Sequence, residues 1–179
     1  MPHQHRWHHP LCLAPRPLRP WLTESGSLTA RLIAHYPCFK VRVLAQGLAR
    51  PHDDERATLG LPRANVRVPS REVLLCSGDT PLVFAHSVTT PAAVRRGFRK
   101  FRHIGGRSLG SMLFASPTIA RSMLAWRRVD ARHPLWRKAR AVVGPLPARL
   151  WARRSVFYTG PDRLLVTEVF LPPLFQESR

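Results

Sequence analysis

"REVLLCSGDTPLVFAHSVTT", from Arg71 to Thr90, is two apolar runs joined at Ser77-Gly78-Asp79-Thr80. A turn-rich tetrapeptide between runs of β-branched and aromatic residues marks a hairpin. Side chains alternate along a strand, so Arg71, Val73 and Leu75 share one face of its first arm. The C-terminal region repeats the plan, with an apolar stretch over 151–158, a turn at Thr159-Gly160-Pro161-Asp162 and a strand from Leu164 to Leu171. Upstream, "FKVRVLAQG" sets Phe39, Val41 and Val43 against Lys40 and Arg42, a strand with one wet face.

Helices are expected between these strands. Ser27 suits the N-cap of a short helix from Leu28, with Leu28, Leu32 and Ile33 at helical spacing. Thr90-Pro91 offers a cap and an N1 proline for a basic helix through Arg102, and Ser116-Pro117 for another over "TIARSMLAWRR". Residues 48–70 read as an irregular connection carrying an acidic cluster at Asp53, Asp54 and Glu55. A Pro-rich connection precedes Trp151. Hairpins with inserted helices predict an α+β fold, one domain on an antiparallel sheet. Residues 1–18 are rich in Pro, Arg and His, include His3, His5, His8 and His9, and are expected to be a disordered leader; the domain is expected over 19–175.

At 179 residues such a domain buries roughly 70% of its unfolded surface. Its net charge of +19 is unusual, and Thr80 to Val129 holds nine Arg and Lys and no acid. That excess suits anions, from small molecules to polyanions, although an arginine-rich solvated surface is the plain account. Nucleic-acid binding is not expected, because no RNP strand, zinc finger or clear helix-turn-helix reader accompanies the charge. Without 18 uninterrupted apolar residues no membrane insertion is expected, only weak association with anionic surfaces. Cys12, Cys38 and Cys76 form no CxxC pair, which argues against a disulfide framework and for a reducing compartment.

Familiar phosphate-cradling and metal-binding motifs are missing. "HIGGRSLG" has neither a Walker lysine-serine pair nor GxGxxG spacing, and HExxH and paired CxxC do not occur. His86 and His103 have no spaced partners and read as structural, not metal-bound. What remains is charge placed in strands. Arg71 heads an apolar face. In "DRLLVTEVFLP", Asp162 to Pro172, Glu168 shares a face with Leu164, Val166 and Phe170. The two could form a buried salt bridge or reach solvent at strand ends. Alternatively they line a cavity, where a guanidinium fork meets a carboxylate and the glutamate meets a hydroxyl, which would suit a small hydroxy acid.

The ordered set "WLTESGSLT", "REVLLCSGDTPLVFAHSV", "SLGSMLF", "WARRSVF" and "LLVTEVFLP", spanning Trp21 to about Leu171, resembles the chorismate pyruvate-lyase family. The resemblance implies a single-domain antiparallel sheet whose ligand lies beneath helical flaps. It implies release of pyruvate from chorismate to leave 4-hydroxybenzoate, a ubiquinone precursor, with no cofactor or metal and with product inhibition. The family's arginine in "R-E-x-L-L-C" falls on Arg71, its leucine in "L-G-x-x-L-F" on Leu109, and its glutamate in "T-E-x-F-L-P" on Glu168. Its "S-M-T" contact falls on Leu28, a departure from methionine that still supplies a backbone N–H. Arg71 and Glu168 are thus the implied catalytic pair, and Leu28, Arg71, Leu109 and Glu168 the implied substrate-binding set. The resemblance also implies a cytoplasmic monomer. The basic stretch from Arg132 to Arg149 is richer in arginine than the family leads one to expect. The alternative is a non-catalytic small-acid sensor of the related regulator effector-binding fold; such regulators carry an N-terminal winged helix, for which the residues before Trp21 are too few.

Overall fold

The structure, a computed structural model, describes residues 7–62 and 65–175. Seven antiparallel strands make one sheet: β1 (Phe39–Ala49), β2 (Val68–Ser77), β3 (Thr80–Thr89), β4 (Ala120–Arg121), β5 (Ala125–Asp130), β6 (Arg149–Thr159) and β7 (Asp162–Phe170). They lie in the order β1-β2-β3-β7-β6-β4, with β5 beside β4 on the same edge of β6. The α+β expectation holds, and both hairpins form where the turn residues placed them. Gly78 and Gly160 each take φ +55°, the left-handed conformation that a tight turn draws from glycine.

Helices cover both faces. On one lie α1 (Arg19–Leu22), α2 (Leu28–His35) and α4 (Leu109–Phe114), with short 3-10 turns. Trp21, Leu22, Leu28 and Leu32 pack there against Val73, Leu75 and Ala85. On the other lie α3 (Asp53–Leu59) and α5 (Pro134–Val143). Leu135, Trp136 and Ala139 of α5 meet Leu74, Phe84 and Val169, whose side chains alternate to that face.

Several local expectations fail for identifiable reasons. Residues 53–59 are helical, not irregular: His52 and Glu55 form a reciprocal capping box, and Gly60 closes the helix in the left-handed conformation. Asp53 to Glu55 are therefore a first helical turn. The basic stretch after Thr90 is only two 3-10 turns, Ala93–Arg95 and Arg99–His103. Thr90 does cap it, accepting from the Ala93 N–H. The chain then breaks at Gly97, whose N–H donates to Asp162 and where a Cβ would lie 2.1 Å from the Thr159 methyl. "TIARSMLAWRR" is not a helix, because the free edge of β6 claims its backbone as β4 and β5. The Pro-rich connection holds α5, which starts on His133 and Pro134 and presents its apolar stripe to the sheet.

The leader also needs correction. Residues 7–18 pack on the domain: Trp7 is 1% exposed, its Nε1–H donates to Asp54 at 2.8 Å, and Leu18 is buried. His3 and His5 lie outside the described residues.

Candidate active site

A part-enclosed cavity, lined by residues of the sheet, α2 and α4, lies on the α2/α4 face. Its floor is the sheet: Arg71, Val73 and Leu75, then Ala85 and Ser87, then Val166 and Glu168, then Arg153 and Ser155. Strand alternation puts all of these on one face, so the candidates Arg71 and Glu168 open into the same space. Register separates them. Arg71 pairs with Ser87 across β3 while Glu168 pairs with Ala85, so the two stand diagonally, two strand spacings or about 10 Å apart across the sheet. They do not bridge each other.

Arg71 is 2% exposed. Its Nη1–H donates to Gln46 Oε1 at 2.5 Å, and Nη2 to the carbonyls of Gly105 and Arg107 at 2.7 and 3.3 Å. Gln46 in turn donates to the Phe101 and Arg102 carbonyls, at 3.2 and 2.8 Å. The guanidinium is thus fixed between β1 and the 101–107 segment. Gln46 reaches that face because an extra residue, Leu44, bulges β1 between Val43 and Ala45 and shifts the later side chains to opposite faces. These hydrogen-bond partners are all neutral. Burial accordingly pulls the Arg71 pKa below the ordinary arginine value, since desolvation disfavours the cation. A buried cation among neutral acceptors favours an anionic ligand.

Glu168 is held by Arg153, its direct neighbour across β6 and β7, with Nε to Oε2 at 2.5 Å. Arg153 is 1% exposed and also donates to the carbonyls of Trp21, Leu22 and Glu24. The salt bridge considered for Arg71 belongs to Arg153 and Glu168 instead.

The other two candidates sit at helix starts. Leu28 opens α2 behind Ser27, whose Oγ accepts from Ala30, and Leu109 opens α4 behind Ser108, whose Oγ accepts from Ser111. The two starts are tied together, Ser108 Oγ donating to Thr29 Oγ1 at 2.8 Å. Gly110 permits that approach, because a Cβ there would lie 3.1 Å from Thr29 Oγ1. First-turn N–H groups have no intrahelical acceptor, so each start, where Leu28 and Leu109 line the cavity, carries unpaired donors.

A second polar group occupies the opposite face. His86 pairs with Glu72 across β2 and β3, and it is not without partners as its sequence spacing suggested: β2 supplies Glu72 and α3 brings Glu55. Its Nε2 is 3.1 Å from Glu55 and its Nδ1 3.3 Å from Glu72, while Lys138 also contacts Glu72. Burial alone lowers the His86 pKa, but the Glu55 and Glu72 carboxylates outweigh it and hold the pKa at about 9. His52, Glu55 and His86 place three metal-type ligand atoms within 4.8 Å of one another. The two imidazoles are stacked at 24°, so their in-plane lone pairs do not converge on one ion. The group is a buried ionic cluster.

Sequence reading missed Gln46, Arg121 and Arg153. Arg153 was within reach, because Trp151, Arg153, Ser155 and Phe157 alternate onto one face of an apolar strand. Gln46 depended on the bulge, and Arg121 on a strand that reads locally as a helix.

Residues 1–179 match the family described as chorismate lyase. A protein of Aromatoleum aromaticum named "Probable chorismate pyruvate-lyase" is 46% identical over 182 residues, covering 98% of this chain and 96% of that one. One of the same name from Thiobacillus denitrificans is 47% identical over 161 residues, covering 90% and 86%. Among solved structures, a GntR-family transcriptional regulator of Enterococcus faecalis aligns with TM-score 0.54 at 14% identity, covering 79% of this chain and 96% of that chain. PhnF of Mycobacterium smegmatis aligns with TM-score 0.56 at 18% identity, covering 84% and 66%. At such identities these likenesses establish the fold alone.

Proposed function

The chain belongs to the chorismate lyase family and removes pyruvate from chorismate to leave 4-hydroxybenzoate; on that premise we propose that Arg71, Glu168 and the N–H groups of Leu28 and Leu109 hold the reacting ring. The observation that carries this reading is one cavity lined by both a buried arginine and a glutamate about 10 Å across the sheet from it. Arg71 and the two helix-start N–H groups take the ring carboxylate, and Glu168 accepts a hydrogen bond from the ring hydroxyl para to it.

Chorismate carries its enolpyruvyl ether on the ring carbon beside the hydroxyl. The C–O bond to that carbon breaks, the hydrogen of the hydroxyl-bearing carbon ends on the methyl of pyruvate, and the ring becomes aromatic. Aromatisation supplies the driving force, so the residues chiefly orient the ether and stabilise developing charge. That hydrogen can pass internally to the enolpyruvyl methylene, so no step requires Glu168 as a base. The planar product retains carboxylate and hydroxyl and fits the same contacts, which favours slow release. We further take the protein to act as a cytoplasmic monomer; no helix among the described residues is long and apolar enough to cross a membrane.

The test is purified protein with chorismate and EDTA, followed for both products. Equal formation of 4-hydroxybenzoate and pyruvate, abolished together with 4-hydroxybenzoate binding in Arg71→Ala, supports the reading. Intact chorismate with bound 4-hydroxybenzoate would favour the sensor alternative, and unchanged affinity in Arg71→Ala would remove Arg71 from the site.

A further inference from the structure

The ionisable residues lining the cavity are three arginines and one glutamate, a formal charge of +2. With the ring placed as above, one cation and the glutamate are assigned, and Arg153 is occupied by Glu168 and three backbone carbonyls. Arg121 is left. It belongs to β4, on the far side of β6 and β7 from Arg71, so Glu168 stands between the two arginines. Its Nε donates to Ser155 Oγ at 2.9 Å and its Nη1 to the Ser25 and Gly26 carbonyls at 2.9 and 3.2 Å. Its guanidinium carbon lies 5.3 and 5.4 Å from the Phe114 and Phe157 ring centres. Nη2 has no hydrogen-bond partner among the described residues. The group is thus fixed and walled by aromatic rings, with donors to spare.

We infer that Arg121 is the specificity residue that receives the second carboxylate of the substrate, that of the enolpyruvyl group. This rests on the ring placement proposed above. Once the ring hydroxyl is at Glu168, the ether on the adjacent carbon projects beside Glu168, away from Arg71. A second carboxylate there would face the Glu168 carboxylate unless a cation accompanied it. Chorismate, a dianion, matches the cavity charge. The product 4-hydroxybenzoate has only the ring carboxylate and makes no use of Arg121. The same contact stabilises pyruvate as it separates, because the carboxylate stays on the departing fragment. Burial, and then repulsion from Arg153, lowers the Arg121 pKa, consistent with a cation awaiting an anion.

The experiment compares Arg121→Gln and Arg121→Lys with the unaltered chain, measuring kcat/KM for chorismate and Kd for 4-hydroxybenzoate. Arg121→Gln should lower kcat/KM at least tenfold while Kd for 4-hydroxybenzoate stays within twofold. Arg121→Lys should recover part of the loss, since it keeps the charge but not the planar fork. Should Arg121→Gln fail to fold, Arg121→Lys carries the test: at least a threefold loss of kcat/KM with Kd for the product unchanged. Parallel weakening of product binding, or unchanged kcat/KM, overturns the assignment. Arg71→Ala keeps the two readings apart: if it leaves 4-hydroxybenzoate affinity intact, the ring placement itself fails. If it abolishes that affinity while Arg121→Gln shows no discrimination, only the Arg121 role fails.

Discussion

Arg153 and Glu168 face each other directly across β6 and β7, and the Arg153 Nε–H meets Glu168 Oε2 at 2.5 Å. The pairing engages one carboxylate oxygen of a residue that lines the cavity. Glu168 is therefore built to accept a hydrogen bond at a fixed point.

Glu168→Gln keeps the shape and loses the charge. A hydrogen bond to a charged group contributes about 1.5–3 kcal/mol, so kcat/KM should fall roughly 10- to 150-fold. A loss of several powers of ten in kcat would instead mean that Glu168 moves a proton or stabilises the transition state.

Gln46 is a positioning residue. Gln46→Ala removes the acceptor on Arg71 Nη1 and the ties to Phe101 and Arg102. It should raise KM for chorismate and Kd for 4-hydroxybenzoate by the same factor, about tenfold for ~1.4 kcal/mol, leaving kcat within threefold. Arg71→Ala should cost about 2–5 kcal/mol of product binding by leaving a carboxylate unpaired. Equilibrium titration of 4-hydroxybenzoate against each variant decides both. If Gln46→Ala changed kcat alone, the positioning account would be wrong.

What the sequence conveyed follows from range. The two hairpins were legible because turn residues and period-two alternation are local. Arg71 and Glu168 stood out because each interrupts an apolar face. The strand over 120–130 was illegible because its helix-like spacing is overridden by the edge of β6, a partner found only in three dimensions. Gln46 was hidden by a single bulged residue, which moved it to the face opposite the one that simple alternation gives. The acidic run at 53–55 could have been read as a helix start, as its capping residue His52 and Gly60 are both local.

The ionic cluster behind the sheet should make stability depend on pH. His86 is raised from 6.5 to about 9, so its contribution is full below pH 6.5 and is lost as pH rises through about 9. Glu72 is lowered from 4.5 to about 2, burial being outweighed by His86 and Lys138, so its contribution is full above pH 4.5 and is lost toward pH 2. Stability should therefore be highest between about pH 5 and 6.5 and decline by roughly 1–3 kcal/mol on going to pH 9. Chemical denaturation across that interval measures it. His86→Gln should be less stable at pH 6 and nearly flat from pH 6.5 to 9; an unchanged alkaline decline in the variant would exclude His86 as its source.

Trp7 decides where the domain begins. It is 1% exposed beneath α5 and packs with the second-face core. Its indole N–H donates to Asp54, and the Arg154 guanidinium carbon lies 4.4 Å from its ring centre. Asp54 is held at a pKa of about 2, its burial outweighed by His133 and Trp7. Trp7→Ala leaves both a large cavity and a carboxylate that has lost a donor, so it should destabilise by about 3–5 kcal/mol. For a chain of this size each kcal/mol shifts Tm by roughly 2–4 °C, giving a fall of about 6–20 °C. The cavity lies on the other side of the sheet, so KM for chorismate should stay within twofold at 20 °C. Removing residues 1–6 alone should leave Tm within about 2 °C, whereas removing 1–9 should reproduce the Trp7→Ala loss. If both truncations melted like the full chain, the domain would begin after the leader, as composition alone suggests.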